Sequence, residues 1–326
     1  MSVSKIVTSV VALALAAVLL YFSLRGIEWR DVWKLISGAK PGYLALTVSL
    51  ATLALFLRAV RWRILLRSGG AVQVSTAFWA TAVGYFGNNF LPARAGELAR
   101  TLLISACCRL SNAYVLTTAM MERMVDAIAL VMISAVVLWT LPAQPDWLAR
   151  AVEPFGLLGA CGVLFIALLP RLERFGKALL NRLPLPPAIL AKLTSLLEHV
   201  LEGLRAFHDG RRLFGFLALT IVIWCIDAAV AIFGAHALGL TIPMPVAFLL
   251  IAGLGLGSAL PSTPGYVGIY QFVAVSVLTP FGFSRTNAIA YILLAQALSY
   301  TLVAFWGSLG FWHYRRIAAI PRGVTP

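Results

Sequence analysis

Nine charged side chains stand where the surrounding chain is oily: Arg58, Arg61, Arg94, Glu97, Arg100, Glu122, Arg123, Asp126 and Asp227. Arg94, Glu97 and Arg100 are spaced three apart, so they share one face if residues 94–109 are helical. Glu122 and Asp126 lie one turn apart in AMMERMVDAIAL with Arg123 beside them, and Arg58 and Arg61 share a face in FLRAVRWRILLR. Asp227 stands in VIWCIDAAVAIF. Acids beside Arg can close into a network that only fixes helix packing, or can carry a proton. Arg in excess of the acids can hold a phosphate-like head group through its planar fork of donors. Glu97, Glu122 and Asp126 are expected to neutralise some of Arg58, Arg61, Arg94, Arg100 and Arg123, and the surplus would face a ligand. Asn89, Ser258 and Gln271 join these as candidate ligand contacts.

The elements that must position these groups are membrane helices. The chain has 326 residues, 61% hydrophobic and 12% charged, with a mean hydropathy of +0.91. Soluble domains are roughly 45–50% apolar and about 25% charged, so this is the composition of a polytopic membrane protein. The net charge of +14 falls mostly in loops between apolar runs, which points to membrane orientation and anionic lipid rather than nucleic acid. Each intramembrane charge costs at least ~2.5–3.5 kcal/mol on insertion scales. Glu122, eleven residues into a helix starting near 111, lies about 16 Å along its axis, close to the bilayer centre.

Six spans are expected, near 5–24, 42–66, 111–140, 152–169, 213–238 and 285–312. A short amphipathic piece follows the first, with Trp29, Val32, Trp33 and Ile36 on one side. Residues 171–210 read as a cytoplasmic amphipathic connector, with Leu190, Leu193, Leu197, Val200, Leu204 and Phe207 at helical spacing. The N-terminal run has no clear cleavage site and reads as an uncleaved helix. The four Cys sit in apolar context as small buried hydrophobes, and the four His show no metal-ligand spacing. No cofactor or metal is expected.

Two segments break the pattern. Residues 88–100, NNFLPARAGELAR, interrupt one apolar run, and 253–271, GLGLGSALPSTPGYVGIYQ, interrupt another. Unsatisfied backbone in hydrocarbon costs several kcal/mol per group, so irregular backbone survives only against protein or a hydrated cavity. Pro92 and Gly96 in the first break, and Pro261, Pro264, Gly265 and Gly268 in the second, are the candidate hinges. Set Pro92 over Pro261, and Asn89 falls on Ser258, Gly96 on Gly265 and Gly84 on Gly253. The fold expected is one all-α membrane domain over 1–326, with two broken segments in an inverted repeat, 42–140 against 211–316. With both termini inside, the Arg-rich loops lie on the cytoplasmic face, except loop 25–41, which carries Arg25, Arg30, Lys34 and Lys40 outside. Broken segments that span fully, rather than re-entering, remain an alternative.

Four pieces carry a family resemblance: RAVRWRILL (58–66), NNFLPARAGELARTLLI (88–104), MERMVDAIAL (121–130) and LPSTPGYVGIYQ (260–271). In this order and spacing, over residues ~40–310, the chain resembles the lysylphosphatidylglycerol synthase transmembrane family, the flippase-like region also found in bacterial multiple peptide resistance factors. The resemblance implies lipid translocation or lipid-linked export in a bacterial cytoplasmic membrane. Two-domain synthases carry a soluble aminoacyltransferase after the membrane part; this chain stops at RRIAAIPRGVTP, so synthase activity is not expected. The ligand implied is an anionic phospholipid or a polyprenyl-phosphate-type lipid, and a second copy of the chain or an envelope-modifying enzyme is a candidate partner. The alternatives are an accessory subunit of a lipid-modifying complex, or an enzyme acting on lipid-linked phosphate. No Walker motif is present, so energy would come from a gradient, a proton on Glu97 or Glu122, or neither.

Overall fold

The computed structural model describes residues 3–91, 95–140, 209–258 and 264–319, with isolated positions between 154 and 194. Among them every regular element is helical: α1 (Val3–Leu24), α2 (Trp29–Ser37), α3 (Pro41–Leu66), α4 (Val74–Phe90), α5 (Gly96–Cys108), α6 (Asn112–Thr140), α7 (Gly210–Ala237), α8 (Met244–Gly257), α9 (Ile269–Leu278) and α10 (Arg285–Ala319). The expected span at 152–169 and the connector at 171–210 lie outside the described residues, apart from those isolated positions.

Three described helices, α3, α7 and α10, are long and apolar enough to cross a membrane. Pro41 opens α3 at a position where its missing N–H costs no helical hydrogen bond. Asp209 caps α7 by accepting from the Arg211 and Arg212 amides at 3.0 and 3.4 Å. Helix α10 runs past the expected end near 312. There Arg316 stacks 3.6 Å from the Trp312 ring centroid and the Tyr314 hydroxyl donates to the Thr76 carbonyl at 2.9 Å, so polar residues continue the helix instead of ending it. On α2, Val32 is buried while Trp29 and Trp33 are exposed, which divides that face between protein and interface.

Each broken segment holds two short helices that pack on each other. Helices α4 and α5 have 17 and 13 residues, α8 and α9 have 14 and 10. At 1.5 Å per residue these reach about 25, 20, 21 and 15 Å, short of a ~30 Å hydrocarbon core. Helix α3 packs on α7, α4 on α5 and α10, and α8 on α9 and α6. The expectation of buried cysteines is corrected: Cys107, Cys161 and Cys225 are exposed, because each sits on an outward helix face, where a thiol in lipid needs no partner.

Candidate functional site

The first broken segment is drawn tight by glycine. A Cβ on Gly87 would lie 2.6 Å from the Gly96 Cα, and one on Gly96 would overlap the Gly84 carbonyl oxygen. The two backbones therefore touch, and this brings Glu97, on the first turn of α5, beside Asn88 at the end of α4. Asn88 Nδ2 donates to Glu97 Oε1 at 3.1 Å. From Glu97 an alternating chain of charges runs through the protein. Arg123 Nε donates to Glu97 Oε1 at 3.1 Å and Arg100 Nε to Glu97 Oε2 at 2.7 Å. Arg100 Nη1 then reaches Glu122 Oε2 at 3.0 Å, and Arg61 Nη2 reaches Glu122 Oε1 at 3.0 Å. Arg61 ends the chain in a bidentate pair with Asp126, at 2.6 and 2.8 Å, and also donates to Thr220 Oγ1 at 3.1 Å. Arg100 stacks over Trp62, 4.4 Å from the ring centroid.

Burial sorts this chain into two parts. Arg61, Arg100 and Glu122 are 0, 1 and 2% exposed, so they are sealed, and nearly every oxygen and donor is used within the protein. Arg123 and Glu97 keep 38 and 24% of their side chains exposed. Arg58 pairs with Asp227 across α3 and α7 through both guanidinium nitrogens, at 16 and 18% exposure. All four described intramembrane Arg are thus matched by four acids. Arg94 lies outside the described residues, as do Pro92 and Pro261.

At the second break the chain passes through left-handed backbone at Gly265 (φ 72°), Tyr266 (φ 60°) and Gly268 (φ 92°). Two glutamines close it. The Gly268 amide donates to Gln271 Oε1 at 2.8 Å, Gln271 Nε2 donates to Gln296 Oε1 at 2.6 Å, and Gln296 Nε2 donates to the Gly265 carbonyl at 3.1 Å. The Tyr300 hydroxyl donates to the same carbonyl. The Gly268 amide and the Gly265 carbonyl are therefore satisfied inside the protein, as the membrane interior demands. Gln271 is 3% exposed and shapes this loop. Pro264 opens the single 3₁₀ turn there.

Both breaks meet one cavity of about 330 Å³. The first contributes Asn88, Asn89 and Glu97, the second Ser258, Tyr266 and Tyr270. Between them stand Arg58, Arg123 and Asp227, with Tyr85, Trp224, Tyr291, Gln296 and Tyr300. Of the residues singled out from the sequence, Arg58, Asn89, Glu97, Arg123 and Ser258 face this space. Arg61, Arg100, Glu122, Asp126 and Gln271 stand behind it and hold it in shape. Asn89 Nδ2 donates to the Tyr85 carbonyl at 2.9 Å, and Ser258 Oγ to the Gly255 carbonyl at 2.6 Å. The aromatic lining was not foreseen. Its sequence signal is Tyr and Trp at mid-span, where Phe or Leu would pack without a polar tip. Asp227, noticed but unassigned, belongs here as the partner of Arg58.

A second space of about 250 Å³ shares Arg58, Tyr85, Asp227 and Tyr291 among other residues with the first, and the rest of its wall is mostly apolar and comes from α3, α7 and α10, with Val48, Ala51, Leu55, Leu298 and Leu302 among its residues. It leads on to a groove at Phe305 and Trp306. The molecule is an all-helical membrane protein with a polar cavity between two broken segments, beside a mostly apolar slot with which it shares part of its wall.

The chain belongs to the family described as the lysylphosphatidylglycerol synthase TM region, whose model matches residues 9–307. What the model describes is the membrane region of that family. It is also similar to the glycosyltransferase AglD of Haloferax volcanii, 25% identical over 342 aligned residues covering 94% of this chain and 55% of that protein. The chain thus spans about half the length of that curated relative. No solved structure matches it.

Proposed function

We propose that this protein translocates the head group of an anionic or lipid-linked amphiphile across the bacterial cytoplasmic membrane, with both termini inside. The observation that carries the reading is that the polar cavity and the apolar slot between α3 and α10 lie side by side and share a wall at Arg58, Tyr85, Asp227 and Tyr291. An amphiphile needs both environments at once. The cavity volume sits at the low end of ligand pockets, roughly 300–1,000 Å³, so it takes a head group and leaves the chains to the slot and the lipid. Family membership supports a lipid-related role in the membrane, and the similarity to a protein named a glycosyltransferase brings sugar-bearing groups into the proposed substrate range.

The mechanism we infer is alternating access by two inverted halves, α3–α6 and α7–α10. The packing favours it: the broken segment of each half docks on the last helix of the other, α4 on α10 and α8 on α6. Arg58 and Asp227 are 169 residues apart, the same offset that sets Pro92 over Pro261 and Gly96 over Gly265. Two positions equivalent under a two-fold relation touch only near its axis, and this pair touches. In this reading Arg94, the fifth intramembrane Arg against four acids, supplies the cation for a phosphate, and Arg58, Arg100 and Arg123 contribute through rearranged pairs.

Reconstitution in liposomes tests the proposal. Dithionite quenching of fluorescent lipids, across several head groups, should show protein-dependent movement between leaflets. Arg94→Ala and Glu97→Gln should each slow it by about tenfold or more, since a charged hydrogen bond contributes ~1.5–3 kcal/mol, while the protein still inserts. Movement of no head group would end the translocator reading in favour of an accessory subunit.

A further inference from the structure

A third space, of about 430 Å³, lies between the end of α1, helix α9 and the start of α10, and shares no residue with the cavity or the slot. Two cations border it, Arg25 and Arg285, and among the described residues no acid does. Arg285 donates through Nη2 to the Phe22 carbonyl, one of the last four carbonyls of α1, which the helix itself leaves unpaired. Its guanidinium is thereby turned toward the end of α1, and its remaining N–H donors have no partner among the described residues. Arg25 has neither a hydrogen bond nor an ion pair among them. Glu28 and Asp31, the acids that follow Arg25 in the chain, pair with neither Arg. The four described intramembrane Arg are each matched by an acid; these two are not.

Exposed aromatics set the level of this space in the membrane. Tyr21 before Arg25, and Trp29 and Trp33 after it, are 61, 51 and 72% exposed, and such side chains collect where hydrocarbon meets head groups. The wall beside the two guanidiniums is apolar at Phe22, Phe272 and Val275. It also holds Ser276, whose hydroxyl has no partner among the described residues. A helical hydroxyl ordinarily bonds back to the preceding turn, as Thr279 does to the Val275 carbonyl at 2.8 Å, so Ser276 keeps a donor for a ligand. With both termini inside, this end of the molecule faces away from the cytoplasm, where membrane orientation gives no reason for cations. An anionic ligand does. Two planar forks of donors suit a phosphate, and the apolar wall suits the acyl chains attached to it; a free anion would leave that wall uncovered.

We infer that the space between α1, α9 and α10 is a second lipid site, separate from the cavity, which binds the phosphate of an anionic membrane phospholipid between Arg25 and Arg285, with Ser276 as a further donor. The test is photolabelling of the full-length protein in detergent micelles by a phosphatidylglycerol analogue with a diazirine near the top of one acyl chain. Label should fall within residues 22–25 or 272–285. Unlabelled phosphatidylglycerol should suppress it about tenfold better than phosphatidylcholine with the same chains, a difference of ~1.4 kcal/mol. Arg25→Gln should weaken labelling there by about tenfold, and should not change any labelling at residues 85–89 of the cavity. Arg25 has no polar partner in the protein, so this variant keeps the fold; Arg285→Gln should have the same effect, and where loss of the α1 cap prevents it from folding, Arg25→Gln and the competition decide. Equal competition by phosphatidylcholine, or undiminished labelling of the Arg25→Gln protein, overturns the assignment. Displacement by inorganic phosphate at the same concentration overturns it in favour of a free anion. Selective labelling of a protein that moves no lipid between leaflets upholds this site and removes only the translocation.

Discussion

At the scale of single residues, the ion pairs fall into two kinds with different consequences. Glu122 is shared by Arg61 and Arg100 and is 2% exposed. Its loss leaves two guanidiniums short of a partner where water cannot reach, and breaking such a buried pair costs about 3–5 kcal/mol. Glu122→Gln should therefore lower the thermal midpoint of the detergent-solubilised protein sharply, or abolish its monodisperse peak. The Arg58–Asp227 pair borders the cavity and keeps some exposure. Arg58→Gln and Asp227→Asn should each destabilise less than Glu122→Gln, because cavity water can solvate the survivor. The double variant should melt above the sum of the two single losses, since it leaves no uncompensated charge. A strictly additive cycle would mean that the two side chains do not interact in the membrane.

At the scale of elements, the breaks are held open by side chains placed to satisfy backbone. Gln271 and Gln296 relay hydrogen bonds from the Gly268 amide to the Gly265 carbonyl. Gln271→Leu keeps the volume but strands both the Gly268 amide and a Gln296 oxygen, each worth about 1–3 kcal/mol when buried and unpaired. The melt should fall accordingly, and hydrogen exchange should accelerate first in residues 264–270. The existence of both breaks was legible in the sequence, because Asn, Pro, Gly and charge inside apolar runs have few structural explanations in a membrane. Which Arg pairs with which acid was not legible. Arg61 meets Asp126, 65 residues on, and Arg58 meets Asp227, 169 residues on; such partnerships depend on how helices pack, and helical spacing carries no record of that. Gln271 was legible as a polar oddity but not as a loop brace, because its partners are the very backbone groups that the break creates.

At the scale of the whole molecule, the polar cavity and the apolar slot share walls from α3, α4, α7 and α10, and these come together only through packing. Tyr85 and Trp224 look like core residues in their own helices, and only assembly turns them toward Arg58, whose guanidinium carbon lies 6.0 and 5.9 Å from their ring centroids. The slot between α3 and α10 is where the two roles of an apolar surface can be told apart. If Leu298 faces ordinary core, Leu298→Trp overpacks it and costs about 1–3 kcal/mol, and the protein loses stability along with any function. If Leu298 lines a track kept open for a lipid chain, the indole occupies space that is unfilled between turnovers. The thermal midpoint then stays within a few degrees of the wild type, because no side chain is displaced. Lipid movement, however, should slow by about tenfold or more, since each buried methylene of a displaced chain forfeits ~0.8 kcal/mol. Measuring melt and flux on the same preparation separates the cases. A stable Leu298→Trp protein with undiminished flux would show that the chain travels elsewhere, over the outer helix faces, with only the head group crossing through the interior.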